Sequence, residues 1–356
     1  MRLNKLTREY LIYFTRLLSA CCLFLLLAKA NTWLNPIDNT VLAFGYRFFI
    51  LFVPYFIIIS RHKIAFFSFL VAIAGIIFWF FSKNLLGAVL FSAGIAVSGY
   101  VLKVYVSKTA MGAANNKIAL NAGVVFSGIL VYLLTGNNHS FLIVALFLIV
   151  VSLACSFFFK DEAHHKNTNA NPHFSFKNFK TLRGLAWGLV GLGTGIKFMS
   201  KVSILPQYLL SYHNTLPAWY GFALSINAVF IILFQRPIMR FVKNWNLKIA
   251  LIPLILSMLV IAVPQLFFCE TVVGAFLWVI LLTLFECAVS VLDTFAYHDH
   301  SLLVKEGCVG VGCAAAVLVM RLIHGAYAAT IIGGFGTFIL LLAFWLLMQK
   351  TKEGYK

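Results

Sequence analysis

The sequence predicts an all-α polytopic membrane protein of twelve transmembrane helices in two six-helix bundles, and three observations predict it. Hydrophobic residues make up 62% of the 356 residues, charged residues 11%, and the mean hydropathy is +0.95. A soluble domain carries about a quarter charged residues. Second, the apolar residues fall in runs of about 20, the length that crosses a bilayer, and are too evenly apolar for the alternating strands of an outer-membrane barrel. Third, the positive charges alternate from one side of these runs to the other. In lipid every backbone group must be satisfied within the chain, which selects helices.

Taken in order, the runs predict helices near 11–30, 43–60, 64–81, 85–106, 118–135 and 140–159, then 184–210, 217–235, 248–268, 272–296, 308–331 and 332–349. Residues 309–348 are too long a run for one crossing, and Gly333, Gly334 and Gly336 are the expected break. One long polar stretch, KDEAHHKNTNANPHFSFKNFKTLR from Lys160 to Arg183, can neither fill a core nor sit in lipid. It divides the chain into an N-terminal bundle (1–159), a connector (160–183) and a C-terminal bundle with a short tail (184–356).

Twelve crossings put both termini and the connector on one side, and the cations follow. Arg2, Lys5 and Arg8 open the chain; Arg61 and Lys63, then Lys108 and Lys117, occupy the second and fourth loops. Lys160, Lys166, Lys177, Lys180 and Arg183 lie in the connector, Arg236, Arg240, Lys243 and Lys248 in loop eight, and Lys305 in loop ten. Lys350, Lys352 and Lys356 end the chain, whereas the odd loops hold only Lys29 and Lys83. The positive-inside rule then places both termini in the cytoplasm. This also explains the net charge of +18: cations spread over cytoplasmic loops meet anionic lipid headgroups, so lipid and not nucleic acid is the expected macromolecular partner. The basic N-terminus before Leu11–Ala30 continues into a polytopic pattern and reads as an uncleaved first helix. The seven cysteines show no CxxC pair and read as small buried hydrophobes. No cofactor and no metal is expected.

Ionisable side chains inside the spans must pair or face water, because each is costly at membrane depth. Lys197 and Lys201 share one face of the seventh helix, four residues apart. Glu286 lies mid-span in the tenth, with Asp293 on the same face about 10 Å nearer the cytoplasm. Arg321 and His324 lie mid-span in the eleventh. Arg16, Arg47 and Lys103 of the first half sit near helix ends, where long side chains snorkel. Lys197, Lys201, Arg321 and His324 outnumber the two acids, which points to an anionic substrate in a water-filled cavity between the halves. Glu286 and Asp293 are the candidates for proton coupling, since a carboxylate in a low-dielectric site holds its proton more readily. The competing reading is structural, with Glu286 paired to Lys197, Lys201 or Arg321 to lock helices together.

Two six-helix halves and a polar connector resemble the major facilitator superfamily over nearly the whole chain. Asn227 and the run Phe234-Gln235-Arg236-Pro237-Ile238-Met239-Arg240 resemble the end of the eighth helix and the basic loop after it in bacterial drug-exporter-like members. Phe285-Glu286, with Leu292-Asp293 beyond, is similar to the Gly-Glu segment of their tenth helix, and Gly333-Gly334 to the glycine pair closing their eleventh. Lys117, Asn121, Gly123 and Gly128 resemble the start and glycine-rich face of the fifth. Pro54–Lys63, PYFIIISRHK, keeps the basic end (Arg61, Lys63) of the loop between helices two and three but lacks its glycine and aspartate. Ser127-Gly128 stands where antiporters carry Gly-Pro.

The resemblance implies alternating access about a midplane site. Glycines 87, 94 and 99 of the fourth helix and 191, 193 and 195 of the seventh fit either sliding or ordinary close packing. The function expected is a secondary carrier in a bacterial inner membrane, a monomer exporting a drug-like or anionic metabolite such as a carboxylate siderophore on a proton gradient. Proton-driven uptake and a non-transporting scaffold are the alternatives. Tyr13, Tyr55 and Tyr100 are candidate aromatic contacts for the substrate. Tyr297-His298-Asp299-His300 and Asp161-Glu162 with His164-His165 carry metal-ligand residue types but lie in loops where such runs are solvated. No Ser-His-Asp or HExxH constellation supports an enzyme.

Overall fold

The structure, a computed structural model, describes residues 5–34, 36–56, 61–82, 84–134, 140–159, 173, 175, 177–199, 218–262, 272–323 and 326–349. Among them twelve α-helices follow one another: α1 Lys5–Trp33, α2 Pro36–Phe48, α3 Arg61–Phe81, α4 Leu85–Val106, α5 Ala110–Leu133, α6 Ser140–Ser156, α7 Leu182–Met199, α8 Ala218–Val242, α9 Leu247–Ala262, α10 Val272–His298, α11 Leu302–Leu322 and α12 Ala326–Met348. Each overlaps a span that the sequence predicts, with the boundaries of some displaced. Polar residues set several starts: Asn84, Thr109, Thr181 and Asn246 accept from the backbone N–H groups of Gly87, Gly112, Gly184 and Ile249 at 3.0–3.1 Å, satisfying donors that a helix leaves open.

Seven helices are long and apolar enough to cross a membrane: α1, α3, α4, α5, α8, α10 and α12. Val41–Val53, Ser140–Ser156 and Leu247–Ala262 are shorter apolar helices. The two in neither group, α7 and α11, are rich in glycine and carry Lys197, Lys305 and Glu306. The outward faces are apolar, with Phe67, Phe78 and Phe81 on α3 and Phe335, Phe338 and Trp345 on α12 all exposed. The chain is a multi-pass membrane protein.

The chain divides into two compact units, residues 1–175 with 228–237, and residues 176–227 with 238–356. In the first, α1 packs on α5 and α6, α3 on α4 and α6, and α2 on α4. In the second, α7 packs on α11 and α12, and α9 on α12 and α10. Lipid supplies no hydrophobic drive between helices, so association depends on close backbone approach at small residues. Gly123 lies against the backbone of α1 at Leu17 and Cys21, Gly94 against α3 at Ser68 and Ala72, and Gly191 and Gly195 against α11 at Lys305 and Val309.

Two expectations are corrected. The break in the last apolar run lies after Leu322, not at the glycines, which sit inside α12. Gly333 packs on the end of α9 at Ile261–Ala262 and Gly336 on Met258, while Gly334 faces open space. These residues make a contact face; they do not end a helix. The second correction concerns the second span. It begins at Pro36 and continues past Phe48 as a 3-10 helix, Phe49–Phe56, which contains Pro54, a residue without an N–H for an α-helical bond. Arg47 is therefore well inside this span and not near its end.

Candidate functional site

In the second unit α10 carries Glu286 at its middle and α7 carries Lys197 in its last turn. Lys197 is 5% exposed, and its Nζ lies 3.9 Å from Glu286 Oε1. That distance is an ion pair beyond hydrogen-bond reach. Thr283, one turn earlier on α10 and on the face of Glu286, accepts a hydrogen bond from Asn227 Nδ2 of α8 and donates to Val279 O at 2.8 Å. Asn227 and Thr283 are both buried. Thus α7, α8 and α10 bring a cation, an acid, a carboxamide and a hydroxyl to adjacent turns. Thr283 escaped the sequence reading because a lone threonine in an apolar run carries no distinctive signal. Its i, i+3 spacing to Glu286 was the available clue.

Asp293 does not join Glu286. Lys305 Nζ donates to Asp293 Oδ1 at 2.6 Å and to Glu306 Oε1 at 3.1 Å, and both Lys305 and Glu306 are buried. The sequence placed Lys305 in a loop, but α11 begins at Leu302, which carries Lys305 inward in its first turn. Two helical turns separate Glu286, beside Lys197, from Asp293, beside Lys305.

Arg321 lies in the last turn of α11 and not mid-span. Lys201 and His324, along with Asp161, Glu162, His164 and His165, lie outside the described residues. Of the loop candidates, Gln235 is fully buried, and Arg236 is exposed with its Nε donating to Asn115 Oδ1 at 3.0 Å. Pro237 is inside α8 at the boundary between the two units' segments, Arg240 is exposed in its last turn, Arg61 opens α3 and Lys63 is exposed. Asn121 donates to Lys117 O of its own helix at 2.8 Å. Among the aromatic candidates, Tyr13 hydrogen-bonds with Asn115, and Tyr100 Oη donates to His173 O.

Asp299 is a structural clamp. Its Oδ2 accepts from Arg183 Nε and from Trp187 Nε1, each at 2.7 Å, while Asn178 Nδ2 donates to the carbonyls of Asp299 and His300. The start of α7 is thereby tied to the turn between α10 and α11. Trp187 is fully buried and Arg183 half exposed, so the two partners contribute unequally. Asp299→Ala is expected to cost about 1–3 kcal/mol, the penalty for leaving a buried N–H unsatisfied. Arg183→Ala is expected to cost at most about 1 kcal/mol. Thermal unfolding of both variants in detergent reads the contrast. Among the described residues no group of three or more His, Cys, Asp and Glu side chains is placed to hold a metal ion.

No family model and no curated protein matches this chain. Solved structures do. The human organic anion transporter MFSD10 (TETRAN) matches with a TM-score of 0.66 at 15% identity, over 97% of this chain and 100% of that one. A bacterial homologue of the iron transporter ferroportin, in its outward-facing state, matches with a TM-score of 0.68 at 13% identity, over 98% of this chain and 99% of that one.

Proposed function

From the premise that this chain has the major facilitator fold, we propose that it is a secondary active transporter of a small organic anion, working by alternating access and coupled to protons. The observation that carries this reading is the Lys197–Glu286 pair, held 3.9 Å apart inside a unit whose outer surface is apolar. A lysine and a glutamate that only locked helices together would gain most from direct hydrogen bonding, because desolvating both charges is otherwise poorly compensated. A loose pair leaves each group able to exchange its partner, Lys197 for a substrate carboxylate and Glu286 for a proton. Twelve crossings, cytoplasmic termini, an inner-membrane location and a monomer complete the reading. One of the two named solved structures is described as an organic anion transporter, and a carboxylate siderophore or a drug-like acid fits the same chemistry.

Export is the direction we favour. Uptake by symport is the second reading, favoured by the fifth helix: Ser127 stands where antiporters carry Gly-Pro, and its hydroxyl donates to Val124 O at 2.6 Å within an uninterrupted helix. Comparing metabolites inside and outside cells with and without the protein distinguishes the two. An organic anion retained by cells lacking it supports export, one depleted supports uptake, and no difference opposes both. Glu286→Gln is expected to abolish pH-gradient-driven flux in proteoliposomes, because a carboxamide cannot load and release the proton, while substrate binding persists. Undiminished driven flux would make Glu286 a helix clamp.

A further inference from the structure

The first unit also keeps cations within its helices. Arg16 is well inside α1, and its guanidinium lies across α4 at Gly99, where a Cβ would meet Nη1 at 2.6 Å. Any other residue at 99 would have to displace the guanidinium. One turn further on, along the same stripe of α4 and about 5–6 Å from position 99 between Cβ sites, stands Lys103. It is 8% exposed, so although it is near the end of its helix it does not snorkel outward.

A third buried polar group stands on α5. That helix runs beside α1, with Tyr13 hydrogen-bonded to Asn115 and Gly123 set against Leu17 and Cys21. This register puts Asn116 within about one turn of the level of Arg16. Asn116 is 6% exposed, and its Oδ1 has no hydrogen-bond partner. A buried carboxamide oxygen with no donor is uncommon in a folded protein and points to a partner that comes and goes.

We infer that Arg16, Lys103 and Asn116 form an anion-binding subsite within the first unit, which takes the carboxylate of a small organic acid bearing a second hydrogen-bonding group. The inference rests on the carrier reading above and adds to it the residues that select the anion. A guanidinium presents two parallel N–H groups that match a carboxylate. An ammonium one turn away takes a second oxygen or a second carboxylate, and the anion offsets the repulsion between the two cations. The carboxamide oxygen accepts from a hydroxyl or amide of the same molecule. Both cations have protein contacts of their own, so the substrate joins an existing set of contacts. The acids on the neighbouring helices are Glu9, two turns before Arg16 on α1, and Asp38, buried in the first turn of α2.

The test uses the full chain in lipid nanodiscs with carboxyfluorescein as the polyanionic probe, read by fluorescence anisotropy against empty nanodiscs and displaced by citrate. The cationic dye rhodamine 6G is the control for charge. Arg16→Gln and Lys103→Gln are each expected to weaken carboxyfluorescein binding at least about tenfold, on the scale of one charge-assisted hydrogen bond. Arg16→Lys retains part of it, and rhodamine 6G binding is unchanged. Gly99→Ala, which leaves every charge in place but crowds the guanidinium, is expected to weaken carboxyfluorescein binding several-fold. Elution as a single species and an unaltered unfolding midpoint show that each variant folds, and Arg16→Lys stands in if Arg16→Gln does not. A parent protein that binds neither carboxyfluorescein nor citrate overturns the subsite, as do Gln variants that bind like the parent. Binding that follows the subsite pattern while proteoliposomes show no flux would instead overturn the carrier reading and leave the subsite standing.

Discussion

Lys305→Met is expected to destabilise the protein by about 3–5 kcal/mol, the usual cost of removing one partner from a buried ion pair. Lys305 Nζ contacts Asp293 Oδ1 at 2.6 Å and Glu306 Oε1 at 3.1 Å, and the Lys305 and Glu306 side chains are each 3% exposed. Without the ammonium, two carboxylates share a largely buried site, with Glu306 buried and Asp293 partly exposed, and each disfavours the ionised form of the other. The double replacement Asp293→Asn, Glu306→Gln in the Lys305→Met background removes the stranded charges and is expected to restore most of the loss, because apolar or neutral groups of similar volume often replace a buried ionic cluster without penalty. Unfolding followed by tryptophan fluorescence in detergent reads both steps. A single variant as stable as the parent, or a triple variant no better than the single, would show that the cluster does not hold α10 to α11.

Gly195→Val is expected to abolish the folded protein. A Cβ at 195 would land on Val309 O of α11, one at 191 on Lys305 O, and one at Gly312 on Leu192 O, so the backbones of α7 and α11 touch at these three positions. Inserting even one methylene into a well-packed core costs about 1–3 kcal/mol. Here the obstacle is backbone and not a side chain that can turn aside, so the helices must separate. Lys197 and the start of the Lys305 cluster are carried by these two helices, so their separation removes the candidate site as well as the fold. Gly334→Ala is the matched control: nothing lies within 4 Å of its Cβ position, and alanine favours a helix over glycine by about 1 kcal/mol. The yield of monodisperse protein should collapse for Gly195→Val and hold or rise for Gly334→Ala. Comparable yields for both would contradict the α7–α11 contact.

The helices were legible because lipid imposes a length and a composition that short polar breaks cannot hide. Among the described residues a helix overlaps each of the twelve apolar runs for this reason. The exceptions have physical causes. Gly333, Gly334 and Gly336 looked like a break because glycine serves turns and close packing alike, and only tertiary contact with Ile261, Ala262 and Met258 shows which use applies. Pro36 and Asp38 looked like loop residues, yet proline and an acid both suit the first turn of a helix, and starting there moves Arg47 inward. In the site, Glu286 with Lys197 was readable from charge alone, since an acid mid-span requires a partner. The contact of Asp293 with Lys305 was not readable, because Lys305 counts among the loop cations that mark orientation. Positive-inside counting reads a lysine's side of the membrane and is blind to whether its side chain turns inward. Expected snorkelling likewise hid Arg16, whose guanidinium lies against α4 at Gly99, and Lys103 of α4 itself, which is buried near its helix end.

The most direct test of a carrier is whether water reaches its internal charges from both sides. Single cysteines at positions 99, 197 and 286, placed in a background lacking the seven native cysteines, are treated with a membrane-impermeant thiol reagent in intact cells and in inverted vesicles. Labelling from both sides is the expected result, with protection by a bound organic anion. Positions that stay unlabelled from either side would leave no route for a substrate and would contradict transport by this protein.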